Sequence, residues 1–140
     1  MKMFRLLKLA ALCTCLVGCS GPKGPVCAPV KGAVTRGGKP LAEAMVVLHR
    51  VGGDVEGHQK PMAYTDTSGN FILTTFKHND GAPPGDYAIT VELRALQTIG
   101  EETTRTGPNT LPPKYAKPES SGIKYTVVDG DNQIPPIDIK

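Results

Sequence analysis

The sequence contains no tryptophan, and three phenylalanines with four tyrosines are its whole aromatic supply. A glycan platform or a base-stacking surface needs exposed rings, so the raw material for either is scarce. Catalytic signatures are missing as well. No G-x-S-x-G occurs, and Ser68, Ser120 and Ser121 stand in turn-like sequence with no histidine nearby. His49, His58 and His78 are isolated and not at i, i+2 or i, i+4 spacing, which reads as solvated side chains and not as a metal site. Glu101 and Glu102 are adjacent and point apart on an extended backbone, a poor arrangement for paired-carboxylate glycoside cleavage. Asp129-Gly130-Asp131-Asn132 begins like a calcium loop, but Ile134 and Lys140 occupy the positions where that loop needs Gly and Glu. The expectation is a protein that is not an enzyme and uses no cofactor or metal.

Long apolar runs are absent too. Residues 9–17 form an apolar stretch of nine, far below the about 20 residues a membrane-spanning helix needs. Lys2, Arg5 and Lys8 precede it and the small Gly18 follows, the three-part plan of an export signal. Within it, Leu16-Val17-Gly18-Cys19 resembles the lipobox of bacterial lipoproteins. The resemblance implies cleavage after residue 18, a diacylglyceryl group on the sulfur of Cys19, and acylation of the new amino terminus. The partner so implied is a membrane of the bacterial cell envelope, reached through lipid, with the rest of the chain exported. An acyl chain contributes about 0.8 kcal/mol per buried methylene, so two or three chains anchor a protein essentially permanently. An ordinary secretory signal with a cysteine at its cleavage point is the alternative.

Loss of residues 1–18 changes the charge balance. The chain has 16 basic and 13 acidic residues, and Lys2, Arg5 and Lys8 leave with the signal, so the remainder is formally neutral. No stripe of Lys and Arg with interleaved aromatics survives, which argues against nucleic acid as a partner. Cys13 and Cys15 leave with the signal and lipid consumes Cys19, so Cys27 has no intramolecular disulfide partner.

Residues 20–29, SGPKGPVCAP, carry three prolines, two glycines and no apolar period, the composition of a tether. Residues 19–29 are therefore assigned to the lipidated cysteine and its tether, and 30–140 to one folded domain of about 110 residues. Its signals are of the strand-and-turn kind. Residues 30–35 end at Gly37-Gly38; Ala44, Val46 and Leu48 alternate with Met45, Val47 and His49. Residues 63–66 run into the Thr67-Ser68-Gly69-Asn70 turn, after which Phe71, Leu73 and Thr75 share a face. Pro83-Pro84-Gly85-Asp86 opens a strand whose Tyr87, Ile89, Val91 and Leu93 share a face, and 123–128 with 134–139 read as a terminal hairpin about Asp129-Gly130-Asp131-Asn132. Phe71 and Tyr87 are expected inward on neighbouring strands. Short strands with Gly/Pro turns and no helical period predict an all-β sandwich.

Three stretches, residues 38–48 (GKPLAEAMVVL), 65–73 (TDTSGNFIL) and 84–91 (PGDYAITV), look like the carboxypeptidase regulatory-like domain. That resemblance implies an Ig-like, transthyretin-like sandwich of about seven strands. The tail, from Leu111-Pro112-Pro113-Lys114-Tyr115 onward, is similar to a group of small bacterial lipoproteins built around this domain. Neither likeness implies an activity. The separate catalytic domain that accompanies regulatory-like domains in carboxypeptidases has no counterpart, and the Tyr-Arg-Gly-Ser-type tail of transthyretin-like hydrolases is not matched by Ile137-Asp138-Ile139-Lys140.

The polar stretch 97–122 exceeds the about 15 residues usual for a connection in a small domain, which makes it the candidate binding surface. Thr104 and Arg105 offer a hydroxyl and a guanidinium, and Lys114 and Tyr115 a cation beside an aromatic ring. Against this, Tyr115 can plug one end of the sandwich, the favoured reading, since an amphipathic ring commonly buries its body and bonds its hydroxyl. The functional expectation is a lipid-anchored envelope protein with a non-catalytic, structural or protein-interaction role. The alternatives are a glycan- or peptide-binding module using 97–122 and, behind it, a small hydrolase.

Overall fold

The computed structural model describes residues 25–140, so the expected export signal, Cys19 and the first part of the expected tether lie outside the described residues. Among the described residues eleven strands follow one another: β1 (Val30–Arg36), β2 (Lys39–Pro40), β3 (Met45–Arg50), β4 (Met62–Tyr64), β5 (Asn70–Ile72), β6 (Gly85–Glu92), β7 (Gln97–Ile99), β8 (Glu102–Thr104), β9 (Lys124–Val127), β10 (Asn132–Gln133) and β11 (Ile137–Ile139). One sheet is antiparallel in the order β4-β3-β6-β9. The other is centred on β1, with β5 and β2 antiparallel and β10 and β11 parallel to it. The protein is an all-β sandwich. Seven strands build it once β10 and β11 are counted as one strand, the short β2 is treated as a stub, and β7 and β8 are set aside as a separate pair. Pro135-Pro136 breaks that last strand, because proline has no N–H to give to the ladder.

Period-two alternation puts the core where the sequence places it. Val30 and Val34 on β1, Val46 and Leu48 on β3, Phe71 and Leu73 about β5, and Tyr87, Ile89 and Val91 on β6 are all buried, and Leu93 packs at the edge of the same cluster. The turn after β4 has the predicted chemistry. Asp66 Oδ1 accepts from the backbone N–H of Ser68 and Asn70, both at 2.9 Å, and Gly69 takes φ +76°.

Four expectations are corrected. The terminal hairpin does not form: β9 pairs with β6, while β10 and β11 cross to the other sheet beside β1. The crossing residue is Asn132, which is buried. Its Oδ1 accepts the Val128 N–H at 2.9 Å, and its Nδ2 donates to the carbonyls of Val128, Gly130 and Pro29 at 2.8, 2.9 and 3.3 Å. Phe71 and Tyr87 are both inward but on opposite sheets. The fold also starts before Val30, since Ala28 is buried and exchanges hydrogen bonds with Ala82 at 2.8 and 3.0 Å. Finally, residues 97–122 are not irregular throughout. They contain the β7–β8 hairpin and a 3-10 turn over Pro113–Ala116.

Gly32 in the interior of β1 has a packing reason. It sits across from Phe71, and a Cβ there would lie 2.5 Å from Phe71 Cζ and 3.2 Å from Ile134 Cβ, so the ring occupies the space a side chain would need. We expect Phe71→Ala to cost about 3–5 kcal/mol and Gly32→Ala about 1–3 kcal/mol by overpacking. Urea unfolding of the double variant should show coupling, the alanine at 32 costing less once the ring is gone. Strict additivity would mean that the ring does not set the requirement for glycine.

Candidate functional site

Beyond β6 the chain leaves the sandwich and returns as a two-stranded arm. Leu93 and Thr110, Arg94 and Asn109, and Ala95 and Pro108 are joined across its base, and β7 pairs with β8 at its tip through Gln97↔Thr104, Thr98↔Thr103 and Ile99↔Glu102. The sequence signal for the arm was weak, because threonine and glutamate replace the apolar alternation that marks a half-buried strand. Thr98 and Thr103 share a hydroxyl hydrogen bond of 2.9 Å directly across the pair, a contact typical of facing threonines. Leu96 and Ile99 are left 61% and 70% exposed.

The candidate residues divide into two separate pairs. Thr104 stands at the end of β8 with its hydroxyl 3.1 Å from that of Thr106. Arg105 staples the arm to the sandwich: its Nε donates to Glu43 Oε2 at 2.6 Å, its Nη2 reaches the same oxygen, and its Nη1 donates to the Arg94 carbonyl at 3.0 Å. Glu43 itself holds a left-handed φ of +58° beside β3. Lys114 and Tyr115 lie in the 3-10 turn. Tyr115 is 6% exposed, its hydroxyl accepts the Lys140 N–H at 3.3 Å, and the Lys114 ammonium stands 4.7 Å from its ring centre. Leu111, four residues before it, is also buried, and the Ser120 hydroxyl donates to the Lys114 carbonyl, which fixes the turn. The geometry is that of a plug. Tyr64, at 62% exposure, is the most exposed aromatic side chain among the described residues. It was legible in principle, because Ala63 and Thr65 flank it with inward parity.

The perturbed ionisable groups all have folding partners. Burial pushes the Cys27 thiol up, and the Asp80 carboxylate adds to the effect, so the thiol is not activated as a nucleophile. Burial acts to raise Asp80 as well, but the backbone N–H groups of Thr75, Lys77 and Phe76 outweigh it and hold the carboxyl below the usual range. The Gly38 N–H and the Thr35 hydroxyl do the same for Asp138, and a hydrogen bond from Lys60 for Asp54. His49 is not freely solvated. Its Nε2 is 2.9 Å from the buried Thr90 hydroxyl and its Nδ1 is 3.3 Å from Lys60 Nζ; burial first, then the Lys60 charge, lower its affinity for a proton.

Tyr115→Ala should lower stability by more than about 1 kcal/mol in a denaturant titration, because it empties a buried site and frees the last strand. The pH dependence has two windows. The unfolded imidazole of residue 49 protonates near the ordinary value of 6.5, whereas the folded one resists until lower pH. Its contribution is complete above that value and is lost as pH falls through the interval below it. Asp54, Asp80 and Asp138 contribute stability above the ordinary 3.8 that is lost only as pH falls further. The urea midpoint should therefore fall between pH 7 and about 5, and His49→Gln should remove that first slope while leaving the acid limb.

No protein-family model matches the chain, and no curated protein matches it. Among solved structures it is similar to BcpA, the major pilin subunit of Bacillus cereus, at 13% identity and a TM-score of 0.48, over 83% of this chain and 30% of that one. The chain thus spans less than a third of that protein's length.

Proposed function

We propose that the chain is a lipid-anchored protein of the bacterial cell envelope whose non-catalytic β-sandwich, of the carboxypeptidase regulatory-like kind, makes protein contacts through its arm. The observation that carries this reading is the arm itself, a hairpin that leaves the core and exposes Leu96 and Ile99. Both side chains stand exposed on a hairpin that projects from the sandwich, where a partner surface can cover them together. The motifs that resemble the regulatory-like domain fall on β2–β3, on the turn after β4 with β5, and on β6, all parts of the sandwich. A glycan or peptide site on residues 97–122 is disfavoured by the burial of Tyr115 and by the commitment of Arg105 to Glu43.

The test is made in growing bacterial cells that produce the full chain with a photo-crosslinking residue in place of Ile99. Labelled palmitate should enter the protein, and light should join the arm to an envelope protein. Cys19→Ala should abolish the label and release the chain from membranes or block its processing. Label that persists in that variant would overturn the anchor; no adduct from position 99, with the lipid present, would overturn the contact role of the arm.

A further inference from the structure

We propose that the outward face of the β4–β5 hairpin binds a neutral pyranose sugar, with Tyr64 as the stacking platform. The register builds the site. Met62 pairs with Thr74 and the Asp66 N–H donates to the Asn70 carbonyl at 2.8 Å, which sets Tyr64 across from Ile72. Ala63, Thr65, Phe71 and Leu73 point into the core, so strand alternation turns Tyr64, Asp66, Asn70 and Ile72 outward together. The loop 75–80 then closes one end. The Asp80 carboxylate gathers the N–H groups of Thr75, Phe76 and Lys77 at 2.7 to 3.0 Å, and Asn79, at φ +58°, donates its N–H to the Thr74 hydroxyl at 2.9 Å. His78 and Asn79 are thereby set at the rim of a cavity of about 490 Å³, within the 300–1,000 Å³ range of small-molecule sites.

Its chemistry selects the ligand class. The side chains of Asn70, His78 and Asn79 make no hydrogen bond within the fold among the described residues, and Asp66 Oδ2 has none because Oδ1 serves the turn. Two amides, one carboxylate oxygen and an imidazole around a half-exposed ring offer paired donors and acceptors beside an apolar surface. A pyranose presents the complement, a C–H face for the ring and vicinal hydroxyls for the planar groups. No lysine or arginine lines the cavity among the described residues, so it lacks the cation that a phosphate, sulfate or carboxylate ligand would need. β4 and β5 are edge strands of different sheets, joined to each other at the Met62–Thr74 bridge and by the Asp66–Asn70 hydrogen bond, so an extended peptide along them is the competing occupant that the experiment separates from a sugar.

The experiment uses the full chain in detergent and three neutral probes, cellohexaose, chitohexaose and maltohexaose, followed by calorimetry and by NMR shifts. At least one should bind with a Kd below about 1 mM. Tyr64→Ala should weaken that probe by about tenfold or more, Tyr64→Phe should keep most of the binding, and Asn79→Ala should weaken it severalfold, all with unchanged unfolding midpoints. The proposal is overturned if no probe binds, if binding survives Tyr64→Ala, or if a peptide library but no sugar gives shifts at Tyr64 and Asn70. None of these outcomes depends on the anchor or on the arm, so failure here is distinguishable from failure of the contact role.

Discussion

The sandwich depends on one crossing, the passage of the chain past Asn132 from the sheet of β6 to the sheet of β1. Asn132 is buried; its amide bonds to both the N–H and the carbonyl of Val128 and to the Gly130 carbonyl, while its backbone N–H, with the amide beside it, donates to the Pro29 carbonyl. An apolar residue at this position would forgo the four side-chain hydrogen bonds that tie the turn to the start of β1, each contributing about 0.5–1.5 kcal/mol net. Everything downstream follows from the crossing. β10 and β11 reach β1 in parallel register, Ile134, Ile137 and Ile139 fill the core, and Asp138 meets Thr35 from 103 residues away. The central strand thus has no neighbour on that side until the last residues of the chain arrive, a non-local topology of the kind that folds slowly because loop closure precedes its reward.

How much of this was legible depends on whether a signal is local. Alternation along Ala44-Met45-Val46-Val47-Leu48 and Tyr87-Ala88-Ile89-Thr90-Val91 is local, and the inward faces came out as read, although Ala88 and Thr90 on the other face of β6 are buried too. The turn at Asp66 is local too, since its hydrogen bonds reach only two and four residues ahead. Pairing across the chain is different. Two β-rich segments about a Gly-Asp-Asn turn read alike whether they fold back as a hairpin or cross between sheets, and nothing in the five residues around Asn132 distinguishes a solvated turn amide from a buried one. The plug was legible because Leu111-Pro112-Pro113-Lys114-Tyr115 combines a stiff turn with an amphipathic ring. The arm was not, because its strands carry threonine and glutamate where a packed strand carries valine.

The surface shows the same division between residues that complete the fold and residues left over. Arg105, read from sequence as a free guanidinium, bonds to Glu43 and to the Arg94 carbonyl; both partners lie at the surface, so the pair adds little to stability and mainly fixes where the arm begins. Tyr115 and His49 are likewise engaged, by the Lys140 N–H and by Thr90. Among the residues without such a duty are those of two places, the apolar side chains of the arm and the outward polar groups of the β4–β5 hairpin.

Those two places differ in rigidity, and the difference assigns them different work. An isolated two-stranded hairpin is marginally stable, and beyond the Arg105–Glu43 contact the tip of the arm is held by the β7–β8 pairing. A ligand there must supply the ordering entropy, which suits a large protein partner with many contacts to offset that cost. The β4–β5 hairpin is bordered by β3 and β1 and rests on Phe71 and Leu73, so its outward side chains project from backbone that the core has already fixed. A small ligand makes too few contacts to order a loop and needs a surface set in advance. Tyr64 and Asn70 meet that requirement because the buried residues between and beside them leave the backbone no alternative.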